Sequence, residues 1–197
     1  MSAPRPKVHL ELVRQAEEPE PDPDWTAQRQ TSAWEPEHQL LGALLHLPAE
    51  KARQVLAGVP AEAIQGHHAR WAFELITTLV RAGKDPGPVA VLAAGHRQAS
   101  TQALSPASPP RPSAYRKLAV YLAAAYTDCV NPAAVADYVR EALDLDYRRV
   151  LAEEAVRMQQ LAECAADLGD LAAEVAASNH RIAVSLQAAQ TAAKSGR

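Results

Sequence analysis

Apolar positions recur with a helical period along most of the chain, and the polar and proline breaks between them delimit the elements. Leu40, Leu41, Leu44 and Leu45 share one face of a segment from about Glu35 to Leu47, around a small Gly42-Ala43 pair. Ser32 suits an N-cap, Glu35, Pro36 and Glu37 suit the first turn, and Pro48 ends the helix. A short helix follows over Ala49 to Ala57, stopped by Gly58, and Pro60 to Ile64 reads as one further turn. His67 to Ala82 carries Ala72, Phe73, Ile76, Leu79 and Val80 at helical spacing, and Gly83 stops it. Lys84 to Pro88 is a turn. Pro88 to about Ala99 is a helix interrupted by Gly95, and Ser100 to Ser113 is a proline-stiffened loop. Ala114 to Thr127 is a helix with Leu118, Tyr121, Leu122 and Ala125 inward.

Asn131-Pro132 is the clearest helix start, an N-cap followed by proline at the first helical position. The pattern then runs to about Leu168 on a seam of Val135, Val139, Ala142, Leu145, Leu151, Ala155, Met158, Ala162 and Ala165. Gly169-Asp170 is expected to break it, with a second helix from Leu171 to Ala193. Two long helices joined by a tight turn make an antiparallel hairpin. Any apolar stripe not consumed inside the hairpin then needs another subunit.

The fold class expected is all-α: a small helical bundle followed by a long antiparallel helical hairpin. Residues 1–34 are expected to form a disordered acidic, proline-rich tail, 35–130 the bundle, 131–193 the hairpin and 194–197 a short tail. The run E-E-P-E-P-D-P-D, Glu17 to Asp24, cannot bury enough apolar surface to offset chain entropy, and a helix over Val8 to Ala16 is marginal without a partner. Trp34 is expected to pack on the first core helix and Trp25 to dock loosely, in preference to an aromatic-anchored peptide motif.

Composition supports this reading. Only 5% of residues are aromatic, 48% are hydrophobic with alanine abundant, and glycines number 8. A net charge of -3 gives no overall pull toward nucleic acid. Cys129 and Cys164, far apart and each in a helical context, suit a reducing cytoplasm. No apolar run approaches the roughly 20 residues of a membrane span, and the amino terminus is not a signal peptide.

Candidate chemistry is sparse. No G-x-x-x-x-G-K-[ST], G-x-S-x-G, H-E-x-x-H or C-x-x-C string occurs, so neither a catalytic role, a cofactor nor a metal is expected. His67 and His68 are adjacent and should point to different faces, as solvent-exposed helix-start residues. Glu153 and Glu154 read as a solvated face, and Arg148 and Arg149 as partners of Asp144 and Asp146.

Several blocks resemble, in order and with near-family spacing, the amino-terminal domain of the DnaB replicative helicases. They are Glu37 with L-L-G-A-L-L, the apolar turn near Ile64, A-F-E-L-I with Leu79, Gly83 and P-V-A-V, then Y-L-A at Tyr121, Y-V-R at Tyr138 and R-R-V-L at Arg148. The resemblance covers about Glu35 to the mid-170s. It implies a helical bundle with a projecting hairpin, pairing through hairpins into a collar on the hexameric helicase, and receipt of the helicase-binding domain of primase. Three departures stand out. Ala69 replaces the usual helix-opening histidine, the proline-rich loop replaces a double glycine before Tyr121, and the linker helix and RecA-like motor do not follow.

The function expected is therefore a DNA-replication accessory module that docks a replicative helicase, primase or itself as a homo-oligomer, without membrane contact. Tyr138, Arg140, Leu145, Arg148 and Arg149 are the expected partner interface. A DNA-binding, initiator-like regulator using Arg140, Arg148, Arg149 and Arg157 is the alternative, its basic character diluted by neighbouring acids. The amino-terminal part of a split helicase is another.

Overall fold

Every regular element among the described residues is helical, as the pattern predicts. The computed structural model describes residues 33–106, 108–164 and 167–195. In order the helices are α1 (Pro36–His46), α2 (Ala49–Leu56), α3 (His67–Arg81), α4 (Pro88–Gly95), α5 (Pro112–Asp128), α6 (Val135–Glu163) and α7 (Leu168–Ser195). Single 3-10 turns stand at Ala61–Ala63 and Pro132–Ala134. The expectations for residues 1–32, including Trp25, the Val8 helix and the Ser32 cap, lie outside the described residues.

Helix α3 is the axis of the bundle. Ala69, Trp71, Ala72, Phe73, Leu75, Ile76, Leu79 and Val80 are all buried, so it is covered on most of its circumference. Trp71, missed by the periodicity, is fully packed and donates its indole N–H to the Gln98 carbonyl at 3.0 Å. The helix stops as its sequence predicts. Gly83 has a φ of 71°, and the Gly83 and Lys84 N–H groups donate to the Val80 and Leu79 carbonyls, closing a Schellman motif.

Leu40, Leu41, Leu44 and Leu45 of α1 are buried, as expected. The neighbouring Gly42 has a separate role. A Cβ placed there would lie 2.3 Å from the Ala125 carbonyl oxygen and 2.8 Å from Cys129 Cβ. Glycine thus lets α1 and α5 cross nearly backbone to backbone. Gly95 plays a similar part at the end of α4, under Leu118.

Helices α5 and α6 meet at a bend of 99°, and the start of α1 grips this elbow. The buried Gln39 amide donates to the carbonyls of Ala33 at 2.7 Å and Asp128 at 2.8 Å, while its oxygen accepts the Val130 N–H at 3.0 Å. Asn131 caps the next turn, its side chain accepting the Ala133 N–H at 3.1 Å, with Pro132 following as predicted. The first half of α6, through Val135, Tyr138, Val139 and Ala142, closes the bundle.

Some expectations fail. Trp34 is 69% exposed and does not pack on α1, which begins at Pro36 with Glu35 in the cap position. The hairpin break is earlier than expected. Helix α6 ends at Glu163 and α7 begins at Leu168, so Gly169 and Asp170 sit in its first turn. The cause is Asp167, whose carboxylate accepts the Gly169 N–H at 3.0 Å and whose carbonyl accepts that of Leu171. This cap outweighs the helix-breaking tendency of one glycine. Cys129 and Cys164 are free thiols at helix ends, not within helices. Among the described residues no single helix is long and apolar enough to cross a membrane.

Candidate docking surface

The second half of α6 leaves the bundle past Pro60 and Glu62, which share a cleft with Val150 and Glu154, and pairs with α7. Ser185 Oγ donates to Asp146 Oδ2 at 2.9 Å, and Arg181 clamps Glu154 through Nε–Oε1 at 2.6 Å and Nη2–Oε2 at 2.8 Å. Partners later on α6 thus meet residues earlier on α7, which makes the pair antiparallel. The far end of α7 returns to α2, where Thr191 and Ala192 share a cleft with Gln54, Val55 and Gly58.

This seam is polar where periodicity predicts an apolar one. Asp146, Glu154, Ser178 and Ser185 are all buried. Arg181 also bonds Ser178 Oγ at 3.1 Å, and Arg157 reaches Glu154 at 3.5 Å. The Arg181 hydrogen bonds, helped by Ser178 and by the Arg181 and Arg157 charges, hold the Glu154 carboxyl down at about 2. Glu154 is therefore a buried, paired anion, not part of a solvated face with the exposed Glu153. Buried side chains on α6 past Ala142 are Leu143, Asp146 and Glu154, with Val150 and Leu161 half-buried at the same spacing. A ladder of this kind admits few registers, because a slip strands a charge away from its partner.

Of the apolar positions assigned to the seam, Val135, Val139 and Ala142 pack into the bundle and the later ones lie beside the seam. Leu151 is 43% exposed, Ala155 and Ala162 are exposed, and Met158 is half-buried; Ala165 lies outside the described residues. The register set by Asp146–Ser185 and Glu154–Arg181 puts Tyr147 level with Leu186, Leu151 with Ile182 and Met158 with Val175. Val175 is 39% exposed, and Tyr147, Ile182 and Leu186 are half-buried. Together these six make a two-helix stripe of exposed and half-buried apolar side chains.

The residues singled out from the sequence do not form one surface. Tyr138 packs against the bundle core. Leu145 is 49% exposed and lines a cleft of about 540 Å³ with Glu37, His38, His67, His68 and Tyr121. Tyr138, Leu145 and Arg149, spaced by seven and four residues, share the bundle-side flank of α6. Arg140 and Arg148 point elsewhere. Arg140 pairs with Asp137 at 2.9 Å and Glu141 at 3.6 Å, and Arg148 with Asp144 at 2.7 Å. Arg149 pairs with Asp146 and, at 3.3 Å, with Glu153. The ion-pair assignment for Arg148 and Arg149 holds.

His67 and His68, expected on different faces, both reach that cleft, their rings edge to face at 5.3 Å. Burial holds His68 below the ordinary imidazole range, with the His67 and Lys117 charges adding to it. Burial raises Glu37 despite the Gln65 and Gly66 backbone N–H groups. No group of three or more His, Cys, Asp or Glu side chains among the described residues could hold a metal ion.

Comparison with known proteins returns no match to any family model, to any curated protein or to any solved structure.

Proposed function

We propose that the hairpin is a docking arm, through which this chain pairs with a second copy and joins a cytoplasmic DNA-replication assembly. The observation that carries the reading is the apolar stripe of Tyr147, Leu151, Met158, Val175, Ile182 and Leu186 on one flank of a hairpin whose interior is satisfied by ion pairs. Solvated hairpin faces normally carry charge, and a contiguous apolar strip of this kind marks an interaction site. Size agrees. The stripe rises about 17 Å from Val175 to Leu186 across two helices about 18 Å wide, so it offers roughly 300 Å², the size of the apolar centre of one side of a standard interface with the polar rest of the flank as its rim.

The replication context rests on the blocks resembling the DnaB amino-terminal domain, on the bundle-plus-hairpin layout and on nothing further. The DNA-binding alternative loses support, because Arg140, Arg148, Arg149 and Arg157 all stand in ion pairs with acids of their own helix. The test is light scattering on the purified chain with and without a hexameric replicative helicase and its primase. The reading expects a self-associated chain that co-elutes with one of them. A strict monomer that binds neither would end it.

A further inference from the structure

One face of the bundle carries a charge imbalance that the hairpin does not share. Residues 86–127 contain no Asp or Glu, yet include Arg97, Arg111, Arg116 and Lys117. All four side chains are exposed, and among the described residues none of them is ion-paired. The fold gathers them around the start of α5. Arg116 and Lys117 lie together with Ser113 and Val120 on its outer side. His96 sets its ring edge against Tyr115 at 5.2 Å, which brings the neighbouring Arg97 to one flank. Arg111 shares a cleft of about 490 Å³ with His67 on the other flank, and Lys117 is close enough to His68 to bear on its charge.

The complementary charge is in the same chain. Glu17, Glu18, Glu20, Asp22 and Asp24 fall within one proline-punctuated segment. The described chain enters at the end of α5 away from the basic face, because the Gln39 amide holds both the Ala33 and the Asp128 carbonyl, and Lys117 lies about 17 Å back along the helix. Gln39 holds the Ala33 carbonyl at 2.7 Å, and Glu35 and Pro36 line one cleft with His67 and His68. Eight residues stand between Asp24 and Ala33, and the nine steps between the two reach about 30 Å when extended.

We propose that the acidic segment Glu17–Asp24 docks on the basic face of Arg97, Arg111, Arg116 and Lys117 in its own chain. Tethering supplies the segment at an effective concentration on the order of millimolar, which suffices for contacts that are individually weak. A nucleic-acid strand is the less favoured occupant. Trp71 is buried and Tyr115 is engaged by His96, so neither of these two rings is free for base stacking. The net charge of -3 also opposes a polyanion arriving from solution.

Carbodiimide coupling of the full chain, read by mass spectrometry on a mixture of normal and nitrogen-15-labelled protein, tests this directly. Lys117 is the one lysine within residues 86–127, and Lys51 and Lys84 serve as internal references. The expected result is a same-chain link from Lys117 to Glu17–Asp24 that disappears at about 1 M salt, where the Debye length shrinks to about 3 Å. Arg111→Glu with Arg116→Glu should lower its yield about fivefold or more, given what single exposed ion pairs contribute. Links equally frequent at Lys51 and Lys84, links between chains, no link, or a yield indifferent to salt and to the two substitutions would overturn the proposal. So would a labelled oligonucleotide that binds the full chain through Arg111 and Arg116 with an affinity unchanged when the five acids are neutralised to Gln and Asn.

Discussion

Gly42 and Gln39 fix the geometry of the bundle from one short stretch of α1. A methyl group at Gly42 has nowhere to go, since the Ala125 carbonyl lies 2.3 Å from its Cβ position. Gly42→Ala should therefore destabilise the protein by about 1–3 kcal/mol in a denaturant titration, the usual cost of overpacking. Gly87→Ala is the control. Nothing lies within 4 Å of a Cβ at Gly87, so the substitution should be neutral or stabilising by up to about 1 kcal/mol. Gln39→Ala leaves the Val130 N–H and the Asp128 carbonyl without their partner at the elbow. A loss of about 1–3 kcal/mol is expected, together with faster amide exchange at Val130. The sequence announces Gly42 only as a small residue inside a leucine stripe. That it faces a carbonyl of a helix about 80 residues away is tertiary information, beyond what local pattern contains.

At the scale of elements, the bundle was legible and the hairpin seam was not. Leucine stripes, the Asn131-Pro132 start and the Gly83 stop are local signals with local causes, and each appears where the sequence places it. The seam inverts the code. Asp146, Glu154, Ser178 and Ser185 are inside, and Leu151 and Val175 are at the surface. From Leu151 onward, hydrophobic periodicity therefore traces positions beside the seam and reports them as the inner ones. The polar seam has a pH signature. Glu154 titrates at about 2 when folded, against an ordinary value of 4.5. A depressed carboxylate contributes stability that is complete above the ordinary value and lost as pH falls toward the folded one. The α6–α7 pairing should thus weaken between about 4.5 and about 2, seen as loss of amide protection along α7. In Glu154→Gln that acid-dependent step should disappear, and protection should already be reduced at neutral pH because Arg181 has lost its anion.

At the scale of the whole molecule, charge and apolar surface are segregated. The α5 side carries cations that are unpaired among the described residues, the hairpin carries paired ones, and the apolar stripe runs along the hairpin flank. Docking through that stripe is the central claim. It is tested most directly by light scattering on the chain alone and on a variant with Leu151→Lys and Val175→Lys. Both positions are surface-exposed and lysine is a good helix former, so circular dichroism should remain unchanged. The prediction is that the unaltered chain elutes at a multiple of 21.2 kDa in the micromolar range and the variant at 21.2 kDa. An unaltered chain at 21.2 kDa, or a variant that keeps the larger mass, would contradict it.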